Sequence, residues 1–210
     1  MRLKYYKEDE LRDSYNHFKK YFHDSIFLDE ENIRKYAISE AVSNHNSNHF
    51  YLEFGVHSGG STKLFSKILK DIKIYGFDSF EGLREDWVGN TLPKGGLNLN
   101  KKPPRVNDNF VPIVGWIQDT LPKFISENKD LKISFVHIDT DTYPTGKFIL
   151  QQIKPYLING AIIIFDELYD FPGWSVGEYK ALIEVFKEEE YKFLAFAAKT
   201  GQAVIQYKKI

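Results

Sequence analysis

The chain contains no cysteine, which excludes disulfides, thiolate metal centres and cysteine nucleophiles. Any bound metal must therefore be held by oxygen or imidazole. The only methionine is Met1, so the core has to be packed from 17 Phe, 13 Tyr and the aliphatic residues. Neither sign of charge is in excess: 28 Lys and Arg stand against 29 Asp and Glu, for a formal net charge of -1. Without a basic field to gather phosphates, nucleic acid is not expected as a partner. No apolar run approaches the roughly 20 residues of a membrane span, and MRLKYYKEDELRD lacks the apolar core of a secretory signal. A cytoplasmic protein without membrane contact is expected.

What is present is one regular alternation. At 210 residues the chain suits one large α/β domain. The polar segment 1–48 reads as helical, with Leu11, Tyr15, Phe18 and Phe22 and then Ile33, Tyr36, Ala37 and Val42 at helical spacing. It is expected to be an N-terminal extension, either a cover or a dimer contact, on a domain spanning 49–210. From there strands are expected at 50–55, 72–78, 111–115, 133–139 and 160–166, and helices at 60–70, 119–128, 143–154 and 176–189. This is the pattern of a Rossmann-like, doubly wound parallel sheet. Two further strands, 191–198 and 202–208, are joined only by Lys199, Thr200 and Gly201, which forces an antiparallel hairpin at the end. The Gly-, Pro- and Asn-rich stretches 79–110 and 167–175 interrupt the scheme, and the first is read as a lid.

The segment FYLEFGVHSGGSTKLFSKIL, 50–69, runs a buried strand into a glycine turn that opens a helix. Gly55, Gly59 and Gly60 would let backbone approach a ligand. The spacing is not the dinucleotide G-x-G-x-x-G, and Glu53 disfavours a pyrophosphate while suiting an ammonium or hydroxyls. In an open α/β sheet ligands bind beyond the carboxyl ends of the strands, and nearly every such end here carries an acid: Glu53, Asp78, Asp119 beside Gln118, Asp139 with Asp141, and Asp166 with Glu167. Asp78 is suited either to a ribose diol or to capping its own turn. Asp139, Asp141, Asp166 and Glu167 are expected to converge on one edge without Lys or Arg between them. Such a group needs a cation, and all-oxygen ligands suit magnesium, manganese or calcium. Helix capping by Asp141 or Thr142 and an Asx-turn at Asp166 are the competing structural accounts. His137 is read as a hydrogen-bonded core histidine; His17, His23, His45 and His49 form no ligand set.

Together LEFGVHSGGS, GFDSFEGL, GWIQDTLP, HIDTDTY and IIIFDELYD resemble the successive motifs of class I S-adenosylmethionine-dependent methyltransferases. The likeness is greatest to the macrocin-type sugar O-methyltransferases and more distant to the metal-dependent catechol-type enzymes. It spans residues 50–208. It implies that Glu53, Gly55, His57, Ser58, Gly59 and Ser61 hold the methionine part of S-adenosylmethionine, that Asp78 binds its ribose, and that Ser79, Phe80, Gln118 and Asp119 line its adenine pocket. Asp139, which also borders the cofactor, Asp166 and Glu167 would hold a divalent metal, taken as Mg2+, with Asp139 or Asp141 as base. Thr142 stands where the catechol-type enzymes carry a lysine base.

The implied activity is metal-assisted O-methylation of a hydroxyl on a sugar or glycosylated small molecule, with a homodimer as the candidate assembly. The competing readings are a non-catalytic nucleoside-binding scaffold and, more remotely, a nicotinamide-dependent oxidoreductase.

Overall fold

The computed structural model describes residues 2–43, 46 and 48–210; His45 lies outside them. The elements in chain order are α1 (Arg2–Phe22), β1 (Ile26–Leu28), α2 (Glu30–Ser43), β2 (Phe50–Phe54), α3 (Gly60–Leu69), β3 (Ile74–Asp78), β4 (Phe110–Val114), α4 (Ile117–Glu127), β5 (Ile133–Ile138), α5 (Tyr143–Ile153), β6 (Leu157–Phe165), α6 (Glu178–Val185), β7 (Tyr191–Ala197) and β8 (Ala203–Tyr207).

The strands form one sheet in the order β1-β7-β8-β6-β5-β2-β3-β4. All neighbours are parallel except that β8 runs against both β6 and β7. The chain winds outward from β2 through β3 to β4, then crosses back to place β5 on the other side of β2. That reversal opens a crevice beyond the carboxyl ends of β2 and β5.

Each face of the sheet is covered because its strands alternate two apolar sets. Phe54, Phe77, Val136 and Ile163 pack with Leu121, Phe124, Ile149 and Leu182 of α4, α5 and α6. Tyr51, Phe135, Ile162 and Ile164 pack with Ile33, Ala37, Phe65 and Leu69 of α2 and α3. Strand β5 is buried along its whole length, as a central parallel strand with helices on both faces must be.

The sequence expectations differ from the structure at several boundaries. The N-terminal segment was read as purely helical, yet Ile26–Leu28 forms a parallel edge strand on β7; three residues are too few to show alternation. The helix expected to run to 189 stops at Val185, where Phe186 turns to extended backbone (φ -114°, ψ 142°) and buries its ring to 3% exposure. Strand β6 starts at Leu157 rather than 160 and takes the positive φ of Gly160, 85°, within it. Helix α4 begins at Ile117 and carries Pro122 inside it, so the carbonyl of Gln118 has no amide four residues on to pair with.

Helix α1 is tied to the domain by Phe18, which is fully buried and makes ring contacts with Tyr169, Trp174, Tyr179, Phe193 and Phe196 at centroid distances of 5.6, 5.4, 5.0, 5.9 and 5.9 Å. Phe18→Ala should lower unfolding free energy by about 3–5 kcal/mol, the usual cost of a large aromatic cavity. Urea denaturation measures it, and a loss under about 1 kcal/mol would mean α1 is only loosely attached.

Candidate active site

The first wall of the crevice is the turn after β2. Glu53 is fully buried. Its Oε1 accepts the Ser61 hydroxyl at 2.5 Å and lies 3.0 Å from His137 Nδ1, while its Oε2 is buried without a protein partner. Gly55 adopts φ 88°, and a methyl group there would come within 1.7 Å of the Asp139 carbonyl oxygen. The glycine is thus required by the close approach of the β2 and β5 ends, rather than by a ligand as its sequence context suggested. Gly59, φ 78°, is the N-cap of α3 and is covered by Pro104 from the long loop. His57 (φ 45°) and Ser58 are exposed at the mouth.

Asp78, at the end of β3, accepts the amides of Val56 and His57 on Oδ2 at 2.9 and 2.8 Å, and that of Phe80 on Oδ1 at 2.7 Å. It therefore pins the glycine turn and its own turn at once. Ser79 accepts the Glu81 amide. Phe80 is buried, and its carbonyl receives the amides of Leu99 and Lys101, so it anchors the long loop. Gln118 accepts from Arg84 at 2.7 Å. The Arg84 guanidinium lies over the Trp116 ring at 5.5 Å. Asp119 is exposed on the first turn of α4.

These walls enclose a cleft of about 190 Å³. Its lining includes Gly55, His57, Asp78, Ser79, Gln118, Asp139 and Asp141 from the sequence reading, together with Trp116, Thr140 and Thr142. Glu53, Ser58, Gly59, Ser61, Phe80, Asp119, Asp166 and Glu167 lie around it rather than on its surface.

At the other end of the cleft the acids gather as the sequence suggested, with additions. Oxygens of Asp139, Asp141 and Glu167 lie within 4.8 Å of one another, and so do ligand atoms of His137, Asp139 and Asp166. Glu178, at the start of α6, is 1% exposed; its Oε2 receives the Glu167 amide at 3.0 Å, and its Oε1 is buried without a partner. The premise that no Lys or Arg intervenes is corrected by α2: Arg34 Nη2 donates to Asp166 Oδ1 at 2.6 Å, where Gln202 Nε2 also donates. His137 Nε2 stands 3.6 Å from the same oxygen, beyond hydrogen-bond reach.

The charges follow from these positions. Burial, then the Asp166 and Asp78 charges, push the Asp141 pKa up to about 7. Burial and neighbouring carboxylates likewise raise Asp139, Glu167 and Glu178 well above the usual carboxylate range. Asp166 goes the other way: burial opposes its ionisation, but His137, Arg34 and Gln202 hold its pKa well below the ordinary value. Burial alone would lower His137, yet the flanking Asp166 and Glu53 carboxylates raise it to about 10. Arg34, Gln202 and Glu178 were missed in the sequence because no local pattern distinguishes them; Arg34 is 132 residues from its partner.

The 79–110 loop covers the cleft with Gly82, Leu83, Arg84 and Leu97, and the 167–175 loop braces it from behind. The 79–110 loop is held by Arg84 on Gln118 and by Glu85, whose Oε2 accepts the Thr142 hydroxyl at 3.1 Å. Its Gly89 abuts the second loop so closely that a methyl there would sit 2.0 Å from the Pro172 carbonyl oxygen. The second loop is clamped from behind by α1, with Ser14 accepting the Asp170 amide and Glu10 that of Gly173.

A crevice at the switch point of a sheet with one reversed strand, edged by acids at successive strand ends, is the architecture of class I methyltransferases, enzymes that take their methyl group from S-adenosylmethionine. A family model described as a methyltransferase domain matches residues 52–168, and the chain belongs to that family. The nicotinamide alternative is thereby set aside.

Among solved structures, the chain is similar to the calicheamicin methyltransferase CalS11, described as a TDP-rhamnose 3'-O-methyltransferase. They share 23% identity over 86% of this chain and 79% of that one, with a TM-score of 0.72. The O-methyltransferase NovP is 19% identical over 85% and 79%, TM-score 0.60. An O-methyltransferase from Bacillus cereus in complex with SAH is 14% identical over 96% and 91%, TM-score 0.55. No curated protein matches.

The charge assignment gives a pH test on the metal-free protein. A carboxyl whose pKa is raised on folding binds its proton more tightly folded than unfolded. It therefore stabilises the fold below its unfolded pKa, and that contribution is lost as pH rises through the folded value. For Asp141 the window runs from its ordinary 3.8 to about 7, and His137 contributes in the same direction between 6.5 and about 10. The melting temperature should fall between pH 5 and pH 8, and Asp141→Asn should flatten that fall. A melting temperature that rises over this interval would contradict the assignment.

Proposed function

We propose that the protein is an S-adenosylmethionine-dependent O-methyltransferase, assisted by a divalent metal, that methylates a hydroxyl of a sugar or glycosylated small molecule. The observation that carries this reading is the acid cluster, part-buried to fully buried, at the cofactor crevice. Among the described residues, Glu53, Asp139, Asp141, Asp166, Glu167 and Glu178 have Arg34 and His137 as their compensating cations. Buried like charges in such excess need either protons or a cation, and the all-oxygen set of Asp139, Asp141 and Glu167 fits a hard divalent ion such as Mg2+.

The same residues fit the cofactor. The unpartnered Glu53 Oε2 suits the ammonium of its methionine part, and Gln118 and Trp116 offer polar and stacking contacts to its base. Asp78 retains lone-pair capacity for a ribose hydroxyl beside its three backbone donors. Asp166, with Oδ1 occupied by Arg34 and Gln202, would turn Oδ2 to the metal.

A bound divalent ion would lower the pKa of a chelated hydroxyl and orient it. The chain's own residues fix the two reaction partners: the β2 turn on one side, the β5 and β6 ends on the other. On this reading, residues 1–48 act as a cover that supports the second loop through Glu10 and Ser14.

The sugar acceptor rests on the likeness to CalS11, an enzyme of TDP-rhamnose. Calorimetry with SAH and Mn2+ should give binding of both, and Asp139→Ala should abolish methyl transfer to TDP-rhamnose while leaving SAH binding intact. Wild-type rates in that variant would sink the metal role.

A further inference from the structure

We propose that Arg84 stands where the nucleoside base of S-adenosylmethionine is to lie, so that the cofactor enters by exchanging its base for the guanidinium. The inference rests on the reading of the crevice as a cofactor site and concerns how that site is filled. Arg84, Trp116 and Gln118 all line the cleft. The guanidinium carbon stands 5.5 Å from the centre of the Trp116 ring, and Nη1 donates to Gln118 Oε1 at 2.7 Å. These are the two groups that offer stacking and polar contact to the base.

A guanidinium is planar, stacks on aromatic faces and presents N–H donors along its edge. Adenine has the same properties: its face stacks on aromatic rings, and its exocyclic amine donates in the ring plane. The two therefore compete for the Trp116 ring and for one amide oxygen. The Gln118 nitrogen is already turned to Thr145 Oγ1 at 3.3 Å, which leaves Oε1 as the group facing Arg84. The space agrees with competition. With Arg84 among its walls the cleft holds about 190 Å³, below the roughly 300–1,000 Å³ of pockets that take drug-sized ligands, and a nucleoside carrying an amino-acid tail is a ligand of that size.

Arg84 is free to leave. Its side chain is exposed, and among the described residues no carboxylate pairs with it. Swung outwards, the guanidinium regains water for the hydrogen bond it gives up. The backbone around it is held, because the Leu83 amide donates to the Gly96 carbonyl and the Gly95 amide to that of Leu83. The exchange is thus a rotation of one side chain rather than an unfolding of the loop. A ligand whose competent state is populated in part binds more weakly by that fraction, so Arg84 lowers the affinity for the cofactor.

Calorimetric titration of the full chain with SAH and with adenosine tests this. Arg84→Met keeps an unbranched stem and removes the guanidinium. It should bind both ligands about 5–20-fold more tightly than wild type, the combined worth of one exposed cation–π contact and one hydrogen bond. The factor should be the same for both, since adenosine and SAH share the base and differ beyond the ribose. Arg84→Lys, which keeps the charge without the planar fork, should fall between; if melting shows Arg84→Met to be unfolded, Arg84→Lys carries the test. If Arg84 instead holds the bound base, its loss will weaken both ligands, and if it stands clear of the base, both affinities will stay unchanged. Either result overturns the inference. Wild type and Arg84→Met that both bind neither SAH nor adenosine would remove the cofactor reading itself, and the exchange with it.

Discussion

The molecule is organised around one electrostatic problem: too many carboxylates wholly or partly buried at the ends of β2, β5 and β6. Isolated buried charges are costly, so each acid needs a partner, and the partners come from distant parts of the chain. Arg34 and Gln202 take Asp166, His137 stands between Asp166 and Glu53, and Ser61 closes the other side of Glu53. Asp139, Asp141, Glu167 and Glu178 remain in excess, with raised pKa values as the consequence. A protein selected only for stability would have little use for such a cluster.

The constraint explains the surrounding architecture. Bringing Asp139 against the β2 turn demands Gly55, since a side chain there would collide with the Asp139 carbonyl. Pinning the turn falls to Asp78, whose three amide contacts freeze the wall opposite the acids. The roof follows the same logic of mutual support: α1 holds the second loop, and the second loop bears against Gly89 of the first. The N-terminal segment thus contributes Arg34 to the acids through α2, a strand to the sheet through β1 and a buttress to the roof through α1.

Much of the fold was legible before any coordinates. The alternation of apolar strands with helical spacing, and the three-residue link before the last strand, are local signals, and they led to a mostly parallel sheet with a reversed end. Acids at the strand ends were equally visible, because a hydrophobic run stopping at a carboxylate is a contiguous pattern. What escaped was non-local. A three-residue edge strand carries no period, and Arg34 reads as an ordinary member of the polar helix EENIRKYAIS, i to i+4 from Glu30. Nor does Thr142 announce that its hydroxyl serves a loop carboxylate 57 residues away.

By itself, then, the sequence determined the order of elements, the two buried faces of the sheet and the class of chemistry, because period and residue type act over a few neighbours. Only tertiary structure decided which acids would be compensated and which left in excess, and why Gly55 must be glycine. Those outcomes depend on distances between groups far apart in the chain, and a charge or a collision has no meaning until the partner's position is known.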